Sequence, residues 1–163
     1  MTEIKRLTQF NSHEYYDLIH RAYQSIDAET ISFAAASDSE AEMSQWLDEH
    51  LTYGLFAQGQ LVCALSIRFP WSKSKSITGY PHLGRFATHP EFQGHGYAKQ
   101  LLAWVEKNII KDLLHSPYLT LGTAENHPWL RQFYETQGFL VYDRKKLPNN
   151  KHVTLYFKKE MEL

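Results

Sequence analysis

The spacing of apolar positions changes several times along this chain, and each change marks an element. Tyr15, Leu18, Ile19 and Ala22 recur three and four residues apart, which places them on one face of an α-helix. Asn11 or Ser12 can cap that helix, which is expected to run to about Ser25. A strand over Ile4 to Phe10 precedes it. Ser37 to His50 predicts a second helix, with Ser37-Asp38-Ser39-Glu40 at its start and a stripe of Met43, Trp46 and Leu47. Tyr53 to Gln58 and Leu61 to Phe69 then flank the turn Gln58-Gly59-Gln60, a hairpin signal. His82 to Thr88 reads as a strand ended by His89-Pro90. Helical spacing returns at Ala98, Leu101, Leu102, Val105, Ile109 and Leu113, so a helix is expected from Ala98 to Leu114. Tyr118 to Thr123 is a strand. Pro128 to Gln137 is a helix opened by proline and closed by Gly138. Phe139 to Lys145 and His152 to Lys158 are two final strands.

The expected order is therefore β-α-α-β-β-β-α-β-α-β-β. It is a mixed α/β fold (an α+β sheet) in one domain over 1–163, antiparallel in its hairpins and parallel across the Ala98–Leu114 crossover. Pro70 to Pro81, rich in Ser, Lys and Gly, reads as a long loop and not as a linker.

Composition adds few constraints. Apolar residues make up 43% and aromatics 14% of 163 residues, which suits a packed domain. A net charge of −1 gives no bias toward nucleic acid or an anionic membrane. The basic runs Lys73-Ser74-Lys75 and Arg144-Lys145-Lys146 are short and read as solvated edges. The one cysteine, Cys63, cannot form an intrachain disulfide and lies in the apolar run Leu61 to Ile67, as a buried side chain would. No stretch reaches the roughly 18 apolar residues of a membrane span, and Met1-Thr2-Glu3-Ile4-Lys5 lacks a signal-peptide core. A soluble, cytoplasmic protein is the expectation. The nine histidines include no pair spaced for zinc on a helix, and no metal is expected.

The candidate chemistry lies between His82 and Ala98. An apolar strand runs into the tight loop Gln93-Gly94-His95-Gly96-Tyr97-Ala98 and then into a long helix. The first amides of a helix lack intrahelical partners, and its dipole places partial positive charge there. Gly94 and Gly96 remove Cβ atoms and let backbone approach an anion such as a pyrophosphate. A Walker loop would need Gly-Lys-Ser/Thr, and a dinucleotide fingerprint a third glycine and a downstream acid; neither is present. Taken alone, the two glycines fit a plain strand–helix turn as well as an anion site.

The surrounding residues make the loop more specific. Arg85-Phe86-Ala87-Thr88, His89-Pro90 and Gln93-Gly94-His95-Gly96-Tyr97-Ala98 resemble the acetyl-CoA motif of the GNAT superfamily of N-acetyltransferases, with Gln93, Gly96 and Ala98 at its marker positions. Leu130-Arg131-Gln132-Phe133-Tyr134-Glu135-Thr136-Gln137-Gly138-Phe139 resembles the second family motif. The resemblance covers most of the chain and is strongest from His82 to Tyr142.

The resemblance implies a sheet whose fourth and fifth strands splay apart around pantetheine. It implies that the backbone of Phe86, Ala87 and Thr88 pairs with that arm, and that amides from Gln93 to Ala98, including those of Gly94, His95, Gly96 and Tyr97, hold the pyrophosphate with help from Lys99. Tyr134 falls on the position that protonates the leaving thiolate. Asn126 resembles the asparagine that holds the pantetheine arm, although counting back from Gly138 puts His127 at that place. The implied activity is acetyl transfer from acetyl-CoA to a small-molecule or peptide amine, directly in a ternary complex. The alternatives are a non-catalytic acyl-CoA sensor, or transfer of a longer acyl chain or to an oxygen. Homodimers are common in the family, so a homodimer is the assembly to test.

The general base is open between His82, at the start of the central strand, and Glu125, at the end of the fifth. Tyr53 and Tyr80 are candidate acceptor-site walls, and Trp71 and Trp129 are pocket aromatics or surface packing. The acidic run Glu40, Glu42, Asp48, Glu49 either attracts a cationic amine or is solvated helix charge.

Overall fold

The structure is a computed structural model that describes residues 1–24, 34–73, 76, 78–127 and 129–162. Its elements are β1 (Thr2–Arg6), α1 (Ser12–Tyr23), α2 (Glu40–Glu49), β2 (Leu51–Ala57), β3 (Gln60–Arg68), β4 (His82–Thr88), α3 (Tyr97–Val105), β5 (Tyr118–Ala124), α4 (Leu130–Thr136), β6 (Leu140–Lys146) and β7 (Val153–Glu160). One seven-stranded sheet runs β1-β2-β3-β4-β5-β7-β6. Among the described strands only β4 and β5 are parallel neighbours, as the α3 crossover requires. The expected mixed α/β order holds throughout.

Two apolar clusters cover the two faces. Tyr15, Leu18 and Ile19 of α1 and Met43 and Leu47 of α2 pack with Leu61, Ala64 and Ala87 of the sheet. Leu101, Leu102 and Val105 of α3 and Tyr134 of α4 pack on the other face with Leu65, Ile67, Leu155 and Phe157. Among the described residues, no helix is long and apolar enough to cross a membrane.

Several ends differ from expectation, each for a local reason. β1 stops at Arg6 because Thr8 caps a short 3-10 turn, accepting from the Phe10 amide (3.3 Å) while its own amide donates to Asn11 Oδ1 (3.0 Å). α2 begins at Glu40 because Ser39 forms a capping box with Glu42: the Glu42 amide donates to Ser39 Oγ and the Ser39 amide to Glu42 Oε1, both at 3.1 Å. α3 passes at Glu106–Lys111 into π-helical turns. The expected helix end at Ser25 and the helix-opening Pro128 lie outside the described residues, as do Ser74 and Lys75.

The feature that makes room for a site lies in β4. Between the pairs Ala64–Ala87 and Ser66–Gly84, β4 places Arg85 and Phe86 opposite Leu65 alone. The extra residue is a bulge, which bends and twists the strand. Arg85 adopts a left-handed φ of +48°, unusual for a residue with a side chain. Its guanidinium is held by Asp38 (2.8 Å) and lies 3.6 Å over the Trp46 ring, contacts that offset the strain. β4 pairs with β5 only at His82–Thr120 and Leu83–Leu121, then the two strands part.

Candidate active site

The gap between β4 and β5 opens into a cleft of about 640 Å³ that reaches from the loop before α3 to the α1–α2 face. At the loop end, Gly94 (φ +82°) and Gly96 (φ +78°) both need the conformation that glycine tolerates. A Cβ built on either meets nothing within 4 Å, so the space beside them is open to a ligand. Gly96 is the N-cap of α3 and has no side chain to cap it, so the first helical amides face outward. His89 shapes the loop by accepting the Glu91 amide on Nδ1 (3.2 Å). These features suit a pyrophosphate.

Gln93, Gly94, Gly96, Tyr97, Ala98 and Lys99 line the cleft, as do Phe86, Ala87 and Thr88. Beyond Leu83 no described strand pairs with the β5-facing edge of β4. An extended amide-bearing arm fits that edge as an added strand would. Two of the expected cofactor residues depart from this set. His95 is turned away, its Nδ1 against the Phe92 carbonyl (3.0 Å) and its ring stacked on Tyr97, and it does not line the cleft. Asn126 is exposed and off the cleft, whereas His127 lies on its wall.

Tyr134 reaches the same cleft from α4. Its ring sits among Phe86, Phe133, Phe139 and Phe157, with centroids 5.3 to 6.4 Å apart. Burial, with Tyr23 and Cys63 nearby, pushes its pKa above the ordinary phenol value. It is a neutral hydroxyl donor at any ordinary pH.

The two proposed bases are placed elsewhere. His82 is buried at the closed end of the gap, where its Nδ1 meets Thr120 Oγ1 at 2.8 Å. Burial and the Arg68 cation lower its pKa to about 3, and it does not line the cleft. Glu125 is exposed and accepts from Arg144 Nε and Nη2, also off the cleft. A ring so weakly basic and a carboxylate so placed are both poorly suited to taking the amine proton.

The α1–α2 end of the cleft is built by Ala22 and Tyr23 of α1, Trp46 of α2, Arg68 of β3, and Gly84 and Arg85 of β4. The described walls of the whole cleft hold three cations, Arg68 and Arg85 at this end and Lys99 at the loop end, and no carboxylate. Glu40, Glu42, Asp48 and Glu49 do not line it, so the acidic run is not a funnel for a cationic amine. Tyr53 packs on Trp104 (5.3 Å), Tyr80 on Tyr118 (5.1 Å), and Trp71 stacks on Phe69 (4.9 Å); none of the three reaches the cleft, while Trp129 does. Arg68, Tyr23 and Trp46 were not foreseen as site residues. Their signal in the sequence is faint: an arginine at a strand end, two residues after Ser66, reads as a solvated terminus. Among the described residues no three His, Cys, Asp or Glu side chains are placed to share a metal ion.

Residues 12–139 match the acetyltransferase (GNAT) family. The S-(2-succino)cysteine N-acetyltransferase of Bacillus subtilis is 32% identical over 151 residues, covering 93% of this chain and 91% of that one. The S-alkylcysteine N-acetyltransferase of the same organism is 35% identical over 130 residues, covering 79% and 73%. The PaiA N-acetyltransferase of Thermoplasma acidophilum, solved in complex with coenzyme A, superposes with a TM-score of 0.68 at 18% identity, covering 98% and 99%.

Proposed function

The chain belongs to the acetyltransferase (GNAT) family and is an N-acetyltransferase; on that premise we propose that it transfers the acetyl group of acetyl-CoA, directly in a ternary complex, to the α-amine of an S-substituted cysteine. The observation that carries this reading is the one continuous cleft. It runs from the glycine-capped start of α3, past Tyr134, to a wall that is cationic and free of carboxylates among its described residues. A polyamine would meet repulsion there, whereas an amino acid brings a carboxylate. The two curated relatives, whose names place their activity on cysteine thioethers, support the same substrate class.

In this reading the amides at the start of α3 and Lys99 hold the pyrophosphate, and the open edge of β4 from Phe86 to Thr88 holds the pantetheine arm. The acceptor reacts as the free amine: its nitrogen forms the bond to the acetyl carbon as the carbon–sulfur bond breaks, and the proton the nitrogen then carries in excess leaves to solvent. Tyr134 gives its phenolic proton to the departing sulfur and regains one from solvent. His127, held neutral by burial, takes the place on the pantetheine wall that Asn126 does not reach.

The test is a coupled assay of CoA release with acetyl-CoA and a panel of S-methylcysteine, S-(2-succino)cysteine, spermidine and a peptide amine. Turnover with the two thioethers, and N-acetyl products by mass spectrometry, are expected. Turnover with spermidine or the peptide alone overturns the substrate class, and no release with any acceptor overturns the enzyme reading in favour of an acyl-CoA sensor.

A further inference from the structure

We propose that Arg68 is the specificity residue of the acceptor site, a guanidinium that receives the α-carboxylate of the amino-acid acceptor. The proposal rests on the acetyl-transfer reading above and names the contact that selects its substrate.

The placement follows from strand alternation. Ser66 faces the α1–α2 side of the sheet, since Trp46 Nε1 of α2 donates to its Oγ at 2.9 Å. Residues two apart in a strand share a face, so Arg68 points to the same side. Gly84 pairs with Ser66. A Cβ built on Gly84 would lie 3.5 Å from Arg68 Nε, so the arginine side chain runs along β4 over the spot that glycine leaves bare. That spot lies just beyond the last β4–β5 pair, Leu83–Leu121, where the cleft begins.

Charge points the same way. Arg68 and Arg85 line one cleft whose described walls carry no carboxylate. Arg85 is engaged with Asp38 (2.8 Å), with Met43 Sδ (3.7 Å) and with the Trp46 ring, and it holds the bulge. Burial, and then the Arg85 cation, hold the Arg68 pKa below its ordinary value. A planar guanidinium matches a carboxylate with two parallel hydrogen bonds, a geometry that lysine does not reproduce. Fixing the α-carboxylate on Arg68 leaves the neighbouring α-amine in the same cleft as Tyr134, while the thioether substituent extends toward Ala22, Tyr23 and Trp46.

The experiment compares S-methylcysteine with its decarboxylated counterpart, 2-(methylthio)ethylamine, as acceptors in wild type and in Arg68→Met. The wild type should prefer the carboxylate substrate in kcat/KM. Arg68→Met should lower that preference about 10- to 100-fold, through KM, the range expected for losing a hydrogen bond to a charged group. Arg68→Lys should keep only part of it. A variant that is merely destabilised would lose both substrates together. An equal preference in wild type and Arg68→Met overturns the proposal while leaving acetyl transfer standing. Should the wild type acetylate no S-substituted cysteine, that reading fails and the anion site is decided by binding. Succinate should raise the melting temperature of the CoA-saturated wild type and not that of Arg68→Met, and a rise in both or in neither overturns it.

Discussion

At the scale of single residues, burial decides which groups can do chemistry. The Tyr134 phenol is enclosed by aromatic rings and its pKa lies above the ordinary value near 10. A raised phenol pKa keeps the donor form present as pH rises. The rate of acetyl transfer should therefore not fall near pH 10, as it would with an exposed phenol as the acid. Tyr134→Phe keeps the ring and removes the donor, so kcat should drop about 100-fold or more with little change in KM for acetyl-CoA; an unchanged kcat at saturation removes the general-acid role. Cys63 shows the same physics without chemistry. Its thiol is fully buried, its pKa is pushed up to about 12, and its Sγ lies 3.4 Å from Thr88 Oγ1. The thiolate is the reactive form, so a thiol reagent should label Cys63 only after unfolding, which mass spectrometry of native and denatured samples checks. Tyr134 was singled out because Leu130 to Phe139 resembles the second family motif, which implies its role. Arg68 was not, because its meaning depends on Gly84, a residue on another strand.

At the scale of elements, the sequence carried most of the architecture and least of the bends. Every expected strand and helix appears in the expected order, although the bounds of β1, α2 and α3 shift, and the buried faces of α1 and α3 follow the apolar spacing that predicted them. The bulge at Arg85, which opens the cleft, has no such signature. It arises from register between β3 and β4 and from Asp38 and Trp46, which come from other elements. The π-helical turns after α3 are equally non-local: Lys159 of β7 pairs with Glu106 at 2.7 Å, and Ile109 and Ile110 both reach the core. Gly94 and Gly96 were legible because a left-handed φ is the conformation that glycine tolerates best. Gly96→Ala tests this, since a left-handed alanine costs about 1 to 2 kcal/mol and its methyl enters space left open at the helix start. The melting temperature should fall by about 2 to 8 °C, with a clear rise in KM for acetyl-CoA. Ser39→Ala, which removes the cap of α2, should cost about 1 kcal/mol by urea unfolding and leave KM for acetyl-CoA near wild type, because α2 lies off the pyrophosphate end.

At the scale of the whole molecule, the fold's histidines tie its stability to pH. Burial lowers the pKa of His50, His82, His127 and His152 below the ordinary 6.5. Below pH 6.5 the unfolded chain takes up protons that the folded chain refuses, so unfolding becomes easier as pH falls. The effect is absent above 6.5 and grows downward from there, by about 1.4 kcal/mol per pH unit for each histidine that stays neutral. For His82 it continues to about pH 3, because that side chain is buried against Thr120 with Arg68 nearby. His82 also sits where β4 and β5 are still paired, so it takes up its proton only as the fold around those pairs is lost. The urea midpoint should therefore fall steeply between pH 6 and pH 4, and His82→Gln, which keeps a polar partner for Thr120 and cannot charge, should make that fall shallower. If the variant's midpoint tracks the wild type's at every pH, His82 is not the source. The same comparison separates two causes of acid inactivation. If activity at pH 5 recovers in His82→Gln together with the urea midpoint, it is lost through unfolding and not through protonation of the acceptor amine, whose titration the substitution leaves in place.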